Sequence, residues 1–310
     1  MKEISIIIPV YNSYECVAEL SRQISDALKG IEYEQIMVND CSKDSSWEEI
    51  KKEAANNPNL VGINLRKNVG QDSAILTGLN YANGKYVVIM DDDLQHSPYD
   101  IPKLYEKAQK GYDVVYANFD SKKQKLWKNL GSWFNGKISE IALQKPKEVY
   151  LSPFKILCRG VVQEMIKFNN LFPYIDGLIF QVTRNITQIT IEHHKREFGK
   201  SHYNLAKSIK VFFRMLFGFS TMPLNIASYT GFFSAIVGLI LAIIYAVEYF
   251  TGKADVTGWT TLVILILILG GLILVSLGII GRYLGQVYLT VNHQPKFVIK
   301  ETINSTNEKE

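Results

Sequence analysis

Two nearly continuous apolar stretches, residues 226–250 and 260–280, constrain this chain more than any other feature. At about 1.5 Å of rise per helical residue, each can cross a hydrocarbon core roughly 30 Å thick. Neither carries the periodic polar face of a surface helix, and the remainder of a 310-residue chain is too small to hide both. The chain therefore reads as an integral, multi-pass membrane protein whose partner is the lipid bilayer. Tyr245 and Glu248 lie near the end of the first stretch, as interfacial residues do. Lys207, Lys210 and Arg214 precede that stretch and Arg282, Lys296 and Lys300 follow the second, whereas the connection carries only Lys253. That bias puts both termini on the cytoplasmic side of the plasma (inner) membrane.

With 47% hydrophobic residues and a formal charge of +4, the chain has room for one sizeable soluble domain beside the apolar part. Residues 1–10 read as a core strand, without the basic leader or cleavage site of a signal peptide. Cys16, Cys41 and Cys158 are odd in number and widely spaced, which argues against a disulfide framework or a zinc site and fits a reducing compartment.

The first hundred residues alternate two periodicities. Strand patterns cover 4–10, 35–38, 61–65 and 86–90; helical patterns run through Val17, Leu20, Ile24 and Leu28, then 46–55 and 73–82. Such alternation predicts an α/β fold with right-handed crossovers and a mainly parallel sheet covered by helices on both faces. The ligand crevice of such a sheet lies beyond the carboxyl ends of its strands. The polar clusters at 9–12, 39–42, 66–70 and 91–95 all fall at those ends and converge on one edge.

The sharpest cluster is Asp91, Asp92 and Asp93, directly after the apolar run 86–90. Adjacent carboxylates at a low-dielectric strand end repel one another and call for a cation. Hard oxygen donors suit Mg²⁺ or Mn²⁺, with a ligand's phosphates completing the shell. Nucleotide-sugar chemistry is the first expectation.

Between 121 and 136 the chain is basic and aromatic, and between 195 and 214 it carries six basic residues and one acidic one. Leu205, Ile209, Phe212, Phe213 and Leu216 share one helical face, with Lys207, Lys210 and Arg214 on another, the pattern of a helix lying in the membrane interface. Headgroups suit these segments better than nucleic acid, which is not expected as a partner. The layout is then a cytoplasmic catalytic domain at 1–203, an interfacial amphipathic helix at 204–224, a transmembrane hairpin at 225–283 and a cytoplasmic segment at 284–310, with 304–310 a frayed tail. Gly270, Gly271, Gly278 and Gly281 in the second span permit close helix contacts and hence a homo-oligomer.

Pro9, Val10, Tyr11 and Asn12, then Val38 to Ser42, then Asp91 to Gln95, in that order and each after a strand, resemble family 2 glycosyltransferases of the GT-A fold. The further runs 66–71 and 196–203, followed by two spans, are similar to the polyprenyl-phosphate glycosyltransferases: bactoprenol glucosyltransferases, dolichyl-phosphate mannose synthases and undecaprenyl-phosphate aminoarabinose transferases. The resemblance implies that Asp40 hydrogen-bonds a pyrimidine and that Pro9 and Tyr11 shape the nucleoside pocket. Asn12, Asn68, Gln71, Asp91 and Asp92 join them around the nucleotide sugar, and Gln95 lies near its phosphates or sugar. Asp91 and Asp93 match the metal-binding pair. Lys155, Arg196, Lys200, Ser201 and Tyr203 are the residues expected around the acceptor phosphate. Three departures stand out: Ser13 replaces a common glutamate, Asn39 a common aspartate, and Pro153 with Lys155 an aspartate and an arginine.

The implied reaction is an inverting transfer from a UDP-sugar to undecaprenyl phosphate, making a lipid-linked sugar for the cell envelope. The acceptor's second pKa of about 6 leaves it largely dianionic at neutral pH, so no strong general base is required. Asp91, Asp93, Gln95 and Arg196 are the expected catalytic groups. His193 and His194 beside Glu192 do not form a metal cluster, because neighbours on a strand point to opposite faces. A processive polysaccharide synthase and an inactive membrane scaffold are the alternatives. Glucose, N-acetylglucosamine, galactose and modified arabinose all remain open as the sugar.

Overall fold

The computed structural model describes residues 2–119, 149–168, 173–191, 217, 220–251, 258–292 and 295–305. The chain divides into two units: Met1–Val211 with Gln294–Glu310, and Phe212–His293.

The first unit is built on the expected alternation: β1 (Ile4–Val10), α1 (Tyr14–Ala27), β2 (Tyr33–Asn39), α2 (Ser46–Asn56), β3 (Leu60–Leu65), α3 (Gln71–Tyr81) and β4 (Tyr86–Ile89). A 3₁₀ turn at Pro98–Asp100 leads into α4 (Ile101–Ala108), followed by β5 (Val114–Phe119), β6 (Lys155–Cys158), α5 (Arg159–Met165), α6 (Ile175–Val182) and β7 (Ile186–Ile191). The strands join in the order β7-β5-β6-β4-β1-β2-β3-β8, where β8 is Ile299–Ile303. β1 runs parallel to β2 and β4, β2 to β3, and β5 to β7. β6 is antiparallel to β4 and β5, and β8 is antiparallel to β3. The sheet is thus mixed, with its parallel core where the alternation placed it.

Every residue of β1, β2 and β3 is buried, as strands covered on both faces require. Ile4, Ile6 and Ile8 point into a cluster with Val17, Leu20 and Ile24 of α1 and Ile101 and Leu104 of α4. Ile7, one residue out of phase, faces the other side, where α3 lies so close that a Cβ added at Gly78 would meet Ile7 Cγ2 at 2.5 Å. α3 begins two residues earlier than its apolar pattern, because Gly70 turns the chain with φ +88°.

The second unit carries α7 (Met222–Phe250) and α8 (Trp259–Val291). Both are long and apolar enough to cross a membrane, and their large side chains are exposed along their length. α8 runs eleven residues beyond the expected end at 280, since the Arg282-containing turns continue the helical pattern once apolar composition has ceased to mark it. Of the interfacial helix expected at 204–224, residues 204–216 lie outside the described residues; α7 begins at Met222.

The segment expected at 284–310 contributes to the sheet: Ile299–Ile303 is its edge strand, and Asn304 Nδ2 donates to the carbonyls of Ala54 (2.8 Å) and Leu60 (3.0 Å), while 306–310, expected to fray, lie outside the described residues. With one strand-like pair, Ile299 and Ile303, among Lys300, Glu301 and Thr302, this segment has little apolar pattern of its own.

Candidate active site

Four loops leave the carboxyl ends of the adjacent strands β4, β1, β2 and β3. Three of them turn through a non-glycine residue with positive φ: Asn12 (53°), Cys41 (54°) and Leu94 (58°). Such conformations cost energy and persist only where surrounding structure fixes them. Here hydrogen bonds between the loops do so.

Asp40 is the anchor of the β2 and β3 ends. Its carboxylate, 3% exposed as a residue, accepts N–H bonds from Val69 (2.7 Å, Oδ1) and Gly70 (2.9 Å, Oδ2), while Asn68 Nδ2 donates to its carbonyl at 3.1 Å. Burial raises its pKa, and the two backbone donors oppose that rise. Asn39 Nδ2 donates to Asn64 Oδ1 at 2.8 Å, and its Oδ1 accepts from Ser42 N–H at 3.3 Å. A neutral amide therefore serves as a strut between β2 and β3.

Asn12 ties the β1 loop to the β2 loop: its Oδ1 accepts from Lys43 N–H (2.8 Å) and its own N–H donates to Ser42 Oγ (3.0 Å). Pro9 is buried inside β1, opposite Val38. Tyr11 is 46% exposed and presents its ring at the rim, while its N–H donates to Asp92 Oδ2 at 3.2 Å. Burial is the main force raising the Asp92 pKa; hydrogen bonds from Ser13 and Tyr11 lower it and the Asp93 charge adds to the rise. Ser13, the departure from glutamate, thus stabilises the middle carboxylate.

Gln71 Nε2 donates to Asp91 Oδ1 at 2.7 Å, and Gln95 N–H to Asp93 Oδ1 at 3.1 Å. His96, buried, stacks on Phe154 with ring centroids 5.4 Å apart and planes 17° from parallel. Asp91 and Asp93 offer the hard oxygens that a divalent ion prefers. Among the described residues no third His, Cys, Asp or Glu joins them, so such an ion would take further ligands from phosphate oxygens and water, which is the habit of Mg²⁺ and of hard Mn²⁺ sites.

Lys155, expected beside the acceptor phosphate, is buried at the start of β6, opposite Ile89, ion-paired with Asp176 in the first turn of α6 and 5.0 Å from the centre of the Tyr116 ring. Tyr116 donates its hydroxyl to the same Asp176 oxygen at 2.9 Å, and burial, then the Asp176 charge, pushes its pKa well up. Arg196, Lys200, Ser201 and Tyr203 lie outside the described residues, as do the basic run 121–136 and His193 and His194.

The model of the family described as glycosyl transferase family 2 matches residues 5–165, the stretch that holds all four loops. The chain belongs to glycosyl transferase family 2. As a family 2 protein it is a glycosyltransferase. It is 32% identical over 316 residues, 99% of this chain and 97% of the relative, to the undecaprenyl-phosphate 4-deoxy-4-formamido-L-arabinose transferase of Photorhabdus laumondii subsp. laumondii. The transferase of the same name from Yersinia enterocolitica is 31% identical over 98% of this chain and 95% of its own. Among solved structures, glucosyl-3-phosphoglycerate synthase from Mycobacterium tuberculosis, in complex with Mn²⁺, UDP and glucosyl-3-phosphoglycerate, superposes with a TM-score of 0.51 at 17% identity, covering 70% of this chain and 79% of that one. The fold is GT-A-like, with the two apolar C-terminal helices added to it.

Sequence reasoning about this glycosyltransferase missed Asp176, Tyr116 and Asp72. Asp72 Oδ1 accepts from Ile175 N–H at 3.3 Å, joining the start of α3 to that of α6. The signal for Asp72 was its place beside Gln71 at a helix start; Asp176 and Tyr116 belong to no motif.

Proposed function

We propose that this glycosyltransferase moves a sugar from a nucleotide-sugar donor, a UDP-sugar, to a polyprenyl phosphate at the cytoplasmic face of the membrane. One observation carries the reading. The likeness to undecaprenyl-phosphate transferases runs through both the crevice loops and the two apolar helices, nearly end to end.

Asp40 and the loop 66–70 form the nucleoside side, with Tyr11 at its rim. Asp91 and Asp93 would hold Mg²⁺ or Mn²⁺, which when bound would neutralise the diphosphate's negative charge. Gln71 keeps Asp91 in place by hydrogen bonding, and Tyr11 N–H with Ser13 keeps Asp92 turned away from it. The attacking phosphate oxygen is already anionic, so the protein's task is alignment for in-line displacement with inversion at the anomeric carbon. Arg196, Lys200, Ser201 and Tyr203, together with Lys155, are proposed to hold the acceptor phosphate.

The two spans anchor the enzyme. The chain leaves the sheet before Met222 and rejoins it at Ile299, so an even number of crossings is needed to return it to the same side. With the basic residues on that side, it is the cytoplasmic one. The glycines of α8 permit the close helix contacts that a homo-oligomer would use.

The test is transfer of labelled sugar from a panel of UDP-sugars to undecaprenyl phosphate by detergent-purified protein with Mg²⁺ or Mn²⁺, beside Asp93→Asn. One donor is expected to give a metal-dependent lipid product that the variant does not make. No product from any donor would sink the reading.

A further inference from the structure

The sheet is completed by residues from beyond the second apolar helix. Val291 closes α8 and Ile299 opens β8, with seven residues between them. This returning segment touches the loop that holds Asp40. Arg66 donates its backbone N–H to Val298 O at 2.8 Å, and Cys41 Sγ contacts Arg66 O at 3.8 Å. From Arg66 the chain runs straight to Asn68, Val69 and Gly70, the three residues that bond to Asp40. The β3–β8 register shifts between Asn64 and Leu65, which brings Ile299 opposite Leu65 and so Val298 against Arg66.

Side chains fasten the segment at both ends. Lys296 Nζ donates to Phe168 O, and burial lowers the Lys296 pKa. Trp47 Nε1 donates to Glu301 Oε2 at 3.1 Å. Asn304, with φ 56°, turns out of the strand and spends its amide on the carbonyls that end α2 and begin β3.

We propose that residues 296–304 are a positioning strap for the donor side of the site. The strap touches neither Asp40 nor the crevice; it acts by holding Arg66, from which the loop 66–70 hangs. Without it β3 would be a bare edge, and the loop's first hydrogen bond would go to water. The short loop has one glycine pivot, Gly70, so a shift at Arg66 is passed to Val69 and Gly70 rather than absorbed along the way. Donor affinity is thereby tied to a segment that follows directly on the apolar hairpin. The inference rests on the reading of Asp40 and its loop as the nucleotide side.

The experiment uses detergent-purified full-length protein. Asn304→Gly keeps the left-handed backbone and removes both amide bonds; Glu301→Ala added to it also removes the Trp47 partner. Amide hydrogen exchange across 66–70 is expected to quicken roughly tenfold in the double variant, with β1 and β4 unchanged. UDP binding in the presence of Mg²⁺ should weaken several-fold in parallel, on the order of one lost hydrogen bond. Glu301→Gln, which keeps an acceptor for the indole, should match wild type in both. Unchanged exchange at 66–70, equal quickening in β1 and β4, or local loosening with UDP affinity unaltered would each overturn the strap. Failure of UDP to bind wild type would count against the donor reading, while the exchange result would still decide whether the strap holds the loop.

Discussion

Gln71 holds Asp91: the amide at the first position of α3 donates to a carboxylate at the end of β4, 2.7 Å away. The bond crosses from helix to strand end and fixes which way the first aspartate of the triplet turns. Gln71→Leu removes the donor with little change of volume. The concentration of Mg²⁺ or Mn²⁺ giving half-maximal transfer should rise several-fold, as expected for about 1 kcal/mol of lost alignment. A metal titration of transfer, unchanged from wild type, would refute that role.

Asp40→Asn makes a second test, because the amide must aim N–H₂ at one of two backbone donors. Thermal unfolding in detergent should show a loss of about 1–3 kcal/mol near neutral pH, larger than that of an exposed Asp→Asn change. The pH dependence has a definite sign. Burial raises the folded-state pKa of Asp40 above the ordinary 3.8, so the folded state binds its proton more tightly than the unfolded chain does. Stability from this group is present below the unfolded value and is lost as pH rises through the folded one. On acidification through that window wild type should gain on Asp40→Asn, and a difference independent of pH would refute the assignment.

The Lys155–Asp176 pair should behave as a buried one. Asp176→Leu alone strands an ammonium and should cost about 3–5 kcal/mol, whereas Asp176→Leu with Lys155→Met should recover much of that. Unfolding of the two single variants and the double variant gives the coupling directly. Additive losses would mean that the two charges do not see each other.

Gly78→Ala should destabilise the domain by about 1–3 kcal/mol through overpacking, since its new methyl would overlap Ile7 Cγ2. In an Ile7→Ala background the same change should cost less, because the methyl then enters vacated space. Equal costs in both backgrounds would show that α3 shifts instead.

The parallel core was legible because fully buried strands and amphipathic helices leave different periodicities, and β1 to β4 fall within one or two residues of the expected limits. The loops at their ends were legible for a related reason: residues such as Asp40 and Asp91 have no business beside apolar runs unless something uses them. Their division of labour was not. Asn12 reads as a ligand contact in sequence and Asn39 and Ser13 as departures from the family's pattern; the bonds that their polar atoms make to neighbouring loops are visible only in the coordinates. Asp176 escaped notice since its partners, Lys155 and Tyr116, lie 21 and 60 residues away. β8 escaped because an edge strand with one exposed face needs little apolar pattern, and its neighbour β3 precedes it by more than two hundred residues.

That separation sets an order of events during synthesis. β3 emerges early, but the strand that covers it follows both apolar helices in the chain. Until then a fully formed β1–β4 core carries an unpaired edge in the cell, the kind of surface on which other chains add. A chain cut short before Ile299 would carry both apolar helices while its sheet stayed open at β3.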